Sequence, residues 1–158
     1  MKPILGIDPG VNGAIAACLG SNVHVWDMPT LAAEGSKGRR LVDGPALIRL
    51  LRRLRVPDVL CFLEEVRSMP RDGHVGAFSF GRSFGITETA LAAAGIPFRT
   101  VRPQVWKKEM RVTADKDQAR QRATQLIPSG AKFWPLKKHD GRAEAALIAQ
   151  YGRQTLGG

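Results

Sequence analysis

The sequence predicts an α/β domain built on a mixed five-stranded sheet flanked by helices. Two observations carry that expectation. The chain opens with three consecutive strand-like runs, ending near Met28. From Asp43 onward, helical patterns alternate with two further apolar runs. A sheet begun by consecutive strands and continued by alternation combines antiparallel with parallel pairs, and helices cover its faces.

Each element has its own signal. Ile4-Leu5-Gly6-Ile7 is a short apolar run closed by Asp8. Pro9-Gly10-Val11-Asn12-Gly13 and a second apolar run, Ala14 to Leu19, follow, which reads as a hairpin. Val23 to Met28 alternates and reads as a third strand. Residues 29–42 read as a Gly-, Ser- and Arg-bearing loop, mobile in part, because Glu34 to Arg40 has nothing to bury. Asp43 is placed as an N-cap with Pro45 in the first turn. Ala46, Leu47, Leu50, Leu51 and Leu54 then give an amphipathic helix that ends before Pro57. Its polar side is Arg49, Arg52, Arg53 and Arg55.

Asp58 to Leu63 reads as a strand buried on both faces, and it ends in Glu64-Glu65. A loop holding Met69, Pro70, Arg71 and Gly73 leads to a long helical pattern over 74–95. That helix is small on one face (Gly81, Gly85, Ala92), and Gly95-Ile96-Pro97 stops it. Phe98 to Val101 is the last strand. Pro103 opens a short helix through Trp106, Lys107 and Lys108, and a helix from about Asp115 to Ile127 follows. After a loop through Pro128 and Pro135, a final helix runs from near His139 to about Tyr151. Its inner residues are Ala143, Ala146, Leu147 and Tyr151. The order β-β-β-α-β-α-β-α-α-α is that of the ribonuclease H-like fold.

The chain has 158 residues, enough for a single domain over 1–158 and too few for two. At 44% hydrophobic and 24% charged it is an ordinary globular composition. The formal charge of +10 is not ordinary, and it is lopsided. Residues 1–98 carry 11 Lys/Arg against 9 Asp/Glu, whereas residues 99–158 carry 13 against 5. A surplus so localised points to a polyanion, nucleic acid first, ahead of a merely solubilising surface. Cys18 and Cys61 sit in apolar runs and read as buried thiols. No leader pattern is visible, and no stretch approaches the roughly 18 apolar residues a membrane span needs. An intracellular protein is expected.

The chemistry is expected in the carboxylates. Asp8 and Glu64 each end a central strand, and strand one commonly neighbours the strand reached through the first helix. Asp140 and Glu144 lie at i and i+4 on the last helix. Like charges gathered in this way destabilise unless something positive lies between them. A hard divalent cation with oxygen ligands is the economical answer. Two such ions about 4 Å apart clamp the attacking and leaving oxygens of a phosphodiester. Each acid also has a plainer reading: Asp140 as a charge favoured by the helix dipole, Glu65 as a solvated strand end, His139 as a polar residue at a helix start. Asp115 and Asp117 read as helix N-terminal acids.

Gly6-Ile7-Asp8-Pro9-Gly10, Leu63-Glu64-Glu65-Val66 and Asp140-Gly141-Arg142-Ala143-Glu144-Ala145 occur in that order. Together they resemble the RuvC-type Holliday-junction resolvases, most closely the phage-type branch. Pro103-Gln104-Val105-Trp106-Lys107 and Ala114-Asp115-Lys116 extend the resemblance over nearly the whole chain. It implies that Asp8, Glu64, Asp140 and Glu144 hold two Mg²⁺ ions, with Mn²⁺ a possible substitute. Glu65 is second choice for the Glu64 slot. The family's last acids are often three residues apart and end in aspartate; here they are four apart and end in Glu144, which leaves His139 open as a ligand. Lys107 and Lys116 match family lysines beside the scissile phosphate, Lys116 with a catalytic role. Arg71, Arg82 and Lys108 complete the candidate DNA contacts.

The resemblance further implies a homodimer that makes paired nicks in a four-way DNA junction, leaving 5′-phosphate and 3′-hydroxyl ends, in the cytoplasm of a bacterial or phage-infected cell. The 74–95 helix is the candidate dimer element, although close packing of Gly81 and Gly85 on the chain's own sheet would explain them equally. Met69, Phe78 and Phe80 could wedge between bases at the crossover; at least two of Phe78, Phe80 and Phe84 are expected in the core. Three rivals remain. One is a broader nuclease for flaps, forks or RNA hybrids, and one a non-catalytic junction-binding protein. The third is an actin-like phosphate-binding protein, which needs a second domain and a second Asp-Gly loop.

Overall fold

The computed structural model describes residues 1–35, 37–67, 69–113 and 115–157, apart from the side chain of Lys116. The main sheet has five strands: β1 (Ile4–Asp8), β2 (Ala14–Leu19), β3 (Asn22–Asp27), then β6 (Leu60–Glu64) and β7 (Phe98–Val101). Between β3 and β6, β4 (Thr30–Ala32) and β5 (Arg40–Val42) form a separate hairpin. The main order is β3-β2-β1-β6-β7. The β1–β2 and β2–β3 pairs are antiparallel, and β1–β6 and β6–β7 are parallel.

The helices are α1 (Gly44–Leu54), α2 (His74–Ala94), α3 (Pro103–Glu109), α4 (Lys116–Leu126) and α5 (Asp140–Thr155), with 3-10 turns over 128–133 and 137–139. Local chemistry sets their ends. Asp43 accepts the Ala46 N–H at 3.0 Å, with Pro45 inside the first turn of α1. Gly95 takes φ 67° after α2, a left-handed cap that suits glycine. Asp115 caps α4 by accepting the Asp117 N–H, and Asp117 pairs with Arg120, so both are the helix-start acids the sequence indicated.

Strand alternation divides the core into two layers. Ile4 and Phe62 face α3, α4 and α5, together with Trp106, Met110 and Trp134. Leu5, Ile7 and Leu63 face α1 and α2. The closest approach is between α5 and β1: a Cβ on Gly6 would lie 2.2 Å from the Ala145 carbonyl oxygen. Cys18 and Cys61 are free and buried. Among the described residues no helix is long and apolar enough to cross a membrane.

Three expectations need correction. The segment 29–42 is not all loop, because Thr30–Ala32 and Arg40–Val42 pair, and Arg40 donates to the Thr30 hydroxyl and carbonyl. Phe78 and Phe80 are not core: they are 72% and 48% exposed, and only Phe84 packs inward. Close packing on the sheet does not explain Gly81 and Gly85, since a Cβ on either would meet nothing within 4 Å. The run of helix residues facing the core is Ser83, Thr87, Ala90, Leu91 and Ala94, which leaves those glycines on the outer side.

Candidate active site

The strand register brings the first two acids together. Ile7 pairs with Leu63 across the parallel β1–β6 ladder, so Asp8 and Glu64 leave adjacent strand ends side by side. The start of α5 rests on the β1–β2 turn. A Cβ on Gly141 would lie 2.3 Å from the Asn12 carbonyl oxygen, and glycine alone permits that approach. Asp140 and, one turn on, Glu144 thereby reach the same sheet end.

The electrostatics record that convergence. Asp8 keeps partial solvent contact, yet its pKa is pushed up to about 8. Burial is the largest cause, followed by the Glu64 and Glu144 carboxylates; the Gly10 N–H, 3.4 Å from Oδ1, opposes them, and Asp140 adds to the rise. Glu64 is also raised, by burial first and then by Glu144. Two groups on α3 oppose that rise. Trp106, fully buried, donates its indole N–H to Glu64 Oε2 at 2.6 Å. Lys107 Nζ donates to Glu144 Oε1 at 3.3 Å.

The four acids therefore form an all-oxygen set of excess negative charge, the donor chemistry that hard divalent ions take. Burial first, and then the neighbouring carboxylates, disfavour the charged form of Asp8, so the protein's own groups do not compensate that charge. Among the described residues no three His, Cys, Asp or Glu side chains close into one ligand shell. Glu64 and Glu144 are instead turned onto Trp106 and Lys107.

The remaining candidates separate from this cluster. Glu65 follows Glu64 at the strand end and is ion-paired instead, 2.7 Å from Arg67 and 3.7 Å from Arg102. His139 accepts the Leu136 N–H at Nδ1; burial first, then the Arg142 and Lys138 charges, lower its pKa, and Asp27 opposes them. Lys108 is exposed on α3, and Arg71 is exposed before α2. Arg82 is exposed on α2, where it lines a groove with Phe78, Leu31 and Arg39. The side chain of Lys116 lies outside the described residues.

Two contacts were not legible in the sequence. Trp106 reads as part of a short helix and of the run that extends the resemblance, and nothing in the spacing ties it to Glu64. Arg142, between Asp140 and Glu144, grips Asp27 at the end of β3 with Nε and Nη2 at 2.7 and 2.8 Å. Its Nη1 donates to the Phe133 carbonyl at 2.9 Å. That fork fastens the first turn of α5 to the far side of the sheet.

No protein-family model matches the chain, and no curated protein matches it in sequence. Solved structures do. T. thermophilus RuvC in complex with Holliday junction substrate superposes with a TM-score of 0.65 at 18% identity, covering 99% of this chain and 97% of that one. A second T. thermophilus RuvC structure gives 0.60 at 17%, covering 98% and 96%. The fold is therefore ribonuclease H-like, a mixed five-stranded sheet with helices on both faces. Within that class it is RuvC-like over almost its whole length.

Proposed function

We propose that this protein is a structure-selective DNA endonuclease that resolves four-way junctions as a homodimer, a single domain over its whole length, of the phage-type branch of the RuvC-type resolvases. The observation that carries the reading is the carboxylate cluster of Asp8, Glu64, Asp140 and Glu144 at one end of a RuvC-like sheet. Asp8, Glu64, Asp140 and Glu144 would hold divalent ions, Mg²⁺ or Mn²⁺. Such ions supply Lewis-acid activation of a water and neutralise the oxygens on both sides of the scissile phosphorus.

The chain's own residues supply the rest. Trp106 holds Oε2 of Glu64, which would leave Oε1 for an ion. Lys107 sits at the cluster's edge, where its ammonium can move from Glu144 to a phosphoryl oxygen. Lys116 is assigned the same role by the family resemblance. Lys108, Arg71 and Arg82 are exposed cations suited to phosphate contacts. Exposed Phe78 and Phe80 suit stacking at unpaired bases, and the open Gly81/Gly85 face of α2 suits a second copy of the chain. A cytoplasmic site of action follows from the substrate.

A second reading, a broader nuclease for forks, flaps or hybrids, shares the same chemistry. Incubation with Mg²⁺ and end-labelled junction, fork, flap, duplex and RNA hybrid separates the two. Symmetric nicks confined to the junction support the resolvase; equal cutting of forks and flaps supports the broader enzyme. No cutting of any substrate with either metal removes the nuclease reading.

A further inference from the structure

The polar side of α1 has no part in the site described so far, and the structure gives it a place. Arg49 and Arg53, one turn apart on α1, line a cleft at the β3 edge with Trp26, Asp27 and Arg142. The arginines come from both faces of the sheet: Arg49 and Arg53 from α1, Arg142 from α5. Arg142 is committed to Asp27, which also lies in the field of His139 and Lys138. Arg49 and Arg53 are exposed, and among the described residues neither forms an ion pair. Like charges at i and i+4 repel, so this arrangement costs the helix unless an anion comes to it.

The cleft lies at the same sheet end as the carboxylates. Asp8 pairs with Ala14, and Ala14 pairs with Asp27. Asp27 is therefore two strands from Asp8, about 10 Å at the usual strand spacing. A DNA strand in a duplex advances about 3.4 Å per phosphate along the axis. A strand with one phosphate at Asp8 thus reaches the arginines within about three nucleotides.

We propose that Arg49 and Arg53, in the cleft beside the Arg142–Asp27 pair, form a second phosphate-binding site, which holds the cut strand within about three nucleotides of the scissile bond. The inference rests on the nuclease reading. The site is selective for backbone charge, since guanidinium groups match phosphate in a fork and carry no base readout.

The test uses four-way junctions with one uncharged methylphosphonate linkage, placed in turn at each of three positions on either side of the cut. Binding is measured with Ca²⁺ to suppress cleavage. For the unaltered protein, one position should weaken binding about fivefold or more. In the Arg49→Ala/Arg53→Ala variant that position should no longer matter, and the slope of log K against log salt should fall by up to about 2. Arg52→Ala/Arg55→Ala removes the same charge from α1 outside the cleft and should keep the position-specific response. An unchanged salt slope and an unchanged methylphosphonate profile in Arg49→Ala/Arg53→Ala would overturn the cleft alone. Failure of the unaltered protein to bind any DNA would overturn the nuclease reading, and the cleft with it. Arg49, Arg52 and Arg53 are exposed on α1 and Arg55 is exposed at its C-cap, and circular dichroism checks that the fold is kept.

Discussion

Replacing Asp8 with Asn should make the metal-free protein more stable. The carboxyl pKa is 3.8 in its ordinary state and about 8 in the fold. The folded state therefore keeps a proton that the unfolded chain releases. Stability is highest below the unfolded pKa, falls as pH rises through the interval, and levels off above the folded pKa. At about 1.36 kcal/mol per unit, holding Asp8 near neutral pH costs up to about 4 kcal/mol. Burial makes the largest part of that cost and the Glu64 and Glu144 carboxylates the next; Asn still buries a polar amide, so about half, or roughly 2 kcal/mol, is a working figure for the substitution. For a chain of this size that corresponds to a Tm gain of about 4–8 °C. Asn keeps an oxygen for the Gly10 N–H and removes only the charge. Thermal unfolding in chelator at pH 5, 7 and 8.5 tests this. The unaltered protein should lose stability across the series, and the variant should lose much less. A variant less stable at pH 7, or with the same pH slope, would refute the electrostatic reasoning. Mg²⁺ should then reverse the order by stabilising only the unaltered protein.

Three further outcomes follow from the contacts around the cluster. Trp106→Phe removes the donor to Glu64 Oε2 and should cost about 2–3 kcal/mol in urea denaturation, since a buried charge-assisted hydrogen bond is lost. Lys107→Met leaves Glu144 without its ammonium partner; calorimetry should show tighter Mn²⁺ binding, while cleavage falls because the phosphate loses a cation. Gly6→Ala forces a Cβ to within 2.2 Å of the Ala145 carbonyl oxygen and 2.4 Å of the Ala149 nitrogen. It should displace α5 and lower stability by about 3 kcal/mol or more, read as a fall in Tm with loss of activity.

The legibility of this chain in its sequence follows the range of the interactions. The β1–β2 hairpin, the Asp43 cap and the Gly95 stop are local, and each is announced within a few residues by Pro, Gly or Asp. The approach of Asp8 to Glu64 is long-range, yet the strand ends made it readable, because parallel neighbours place their last residues together. The β4–β5 hairpin left no readable signal because its strands are three residues each, too short to show a period. Size and apolarity argue for burial of at least two of Phe78, Phe80 and Phe84. In the structure the buried residues of α2 begin only at Ser83, and Phe78 and Phe80 before it stay exposed. Trp106 to Glu64 and Arg142 to Asp27 span 42 and 115 residues and leave no local trace.

The central claim is that the Asp8–Glu64–Asp140–Glu144 cluster cuts DNA. The most direct measurement is cleavage of an end-labelled four-way junction by the unaltered protein and by Asp8→Asn at equal junction occupancy in Mg²⁺. Paired nicks with 5′-phosphate and 3′-hydroxyl ends are expected for the former and no nicks for the variant, which still binds the junction. Cleavage by Asp8→Asn at the unaltered rate would contradict the claim.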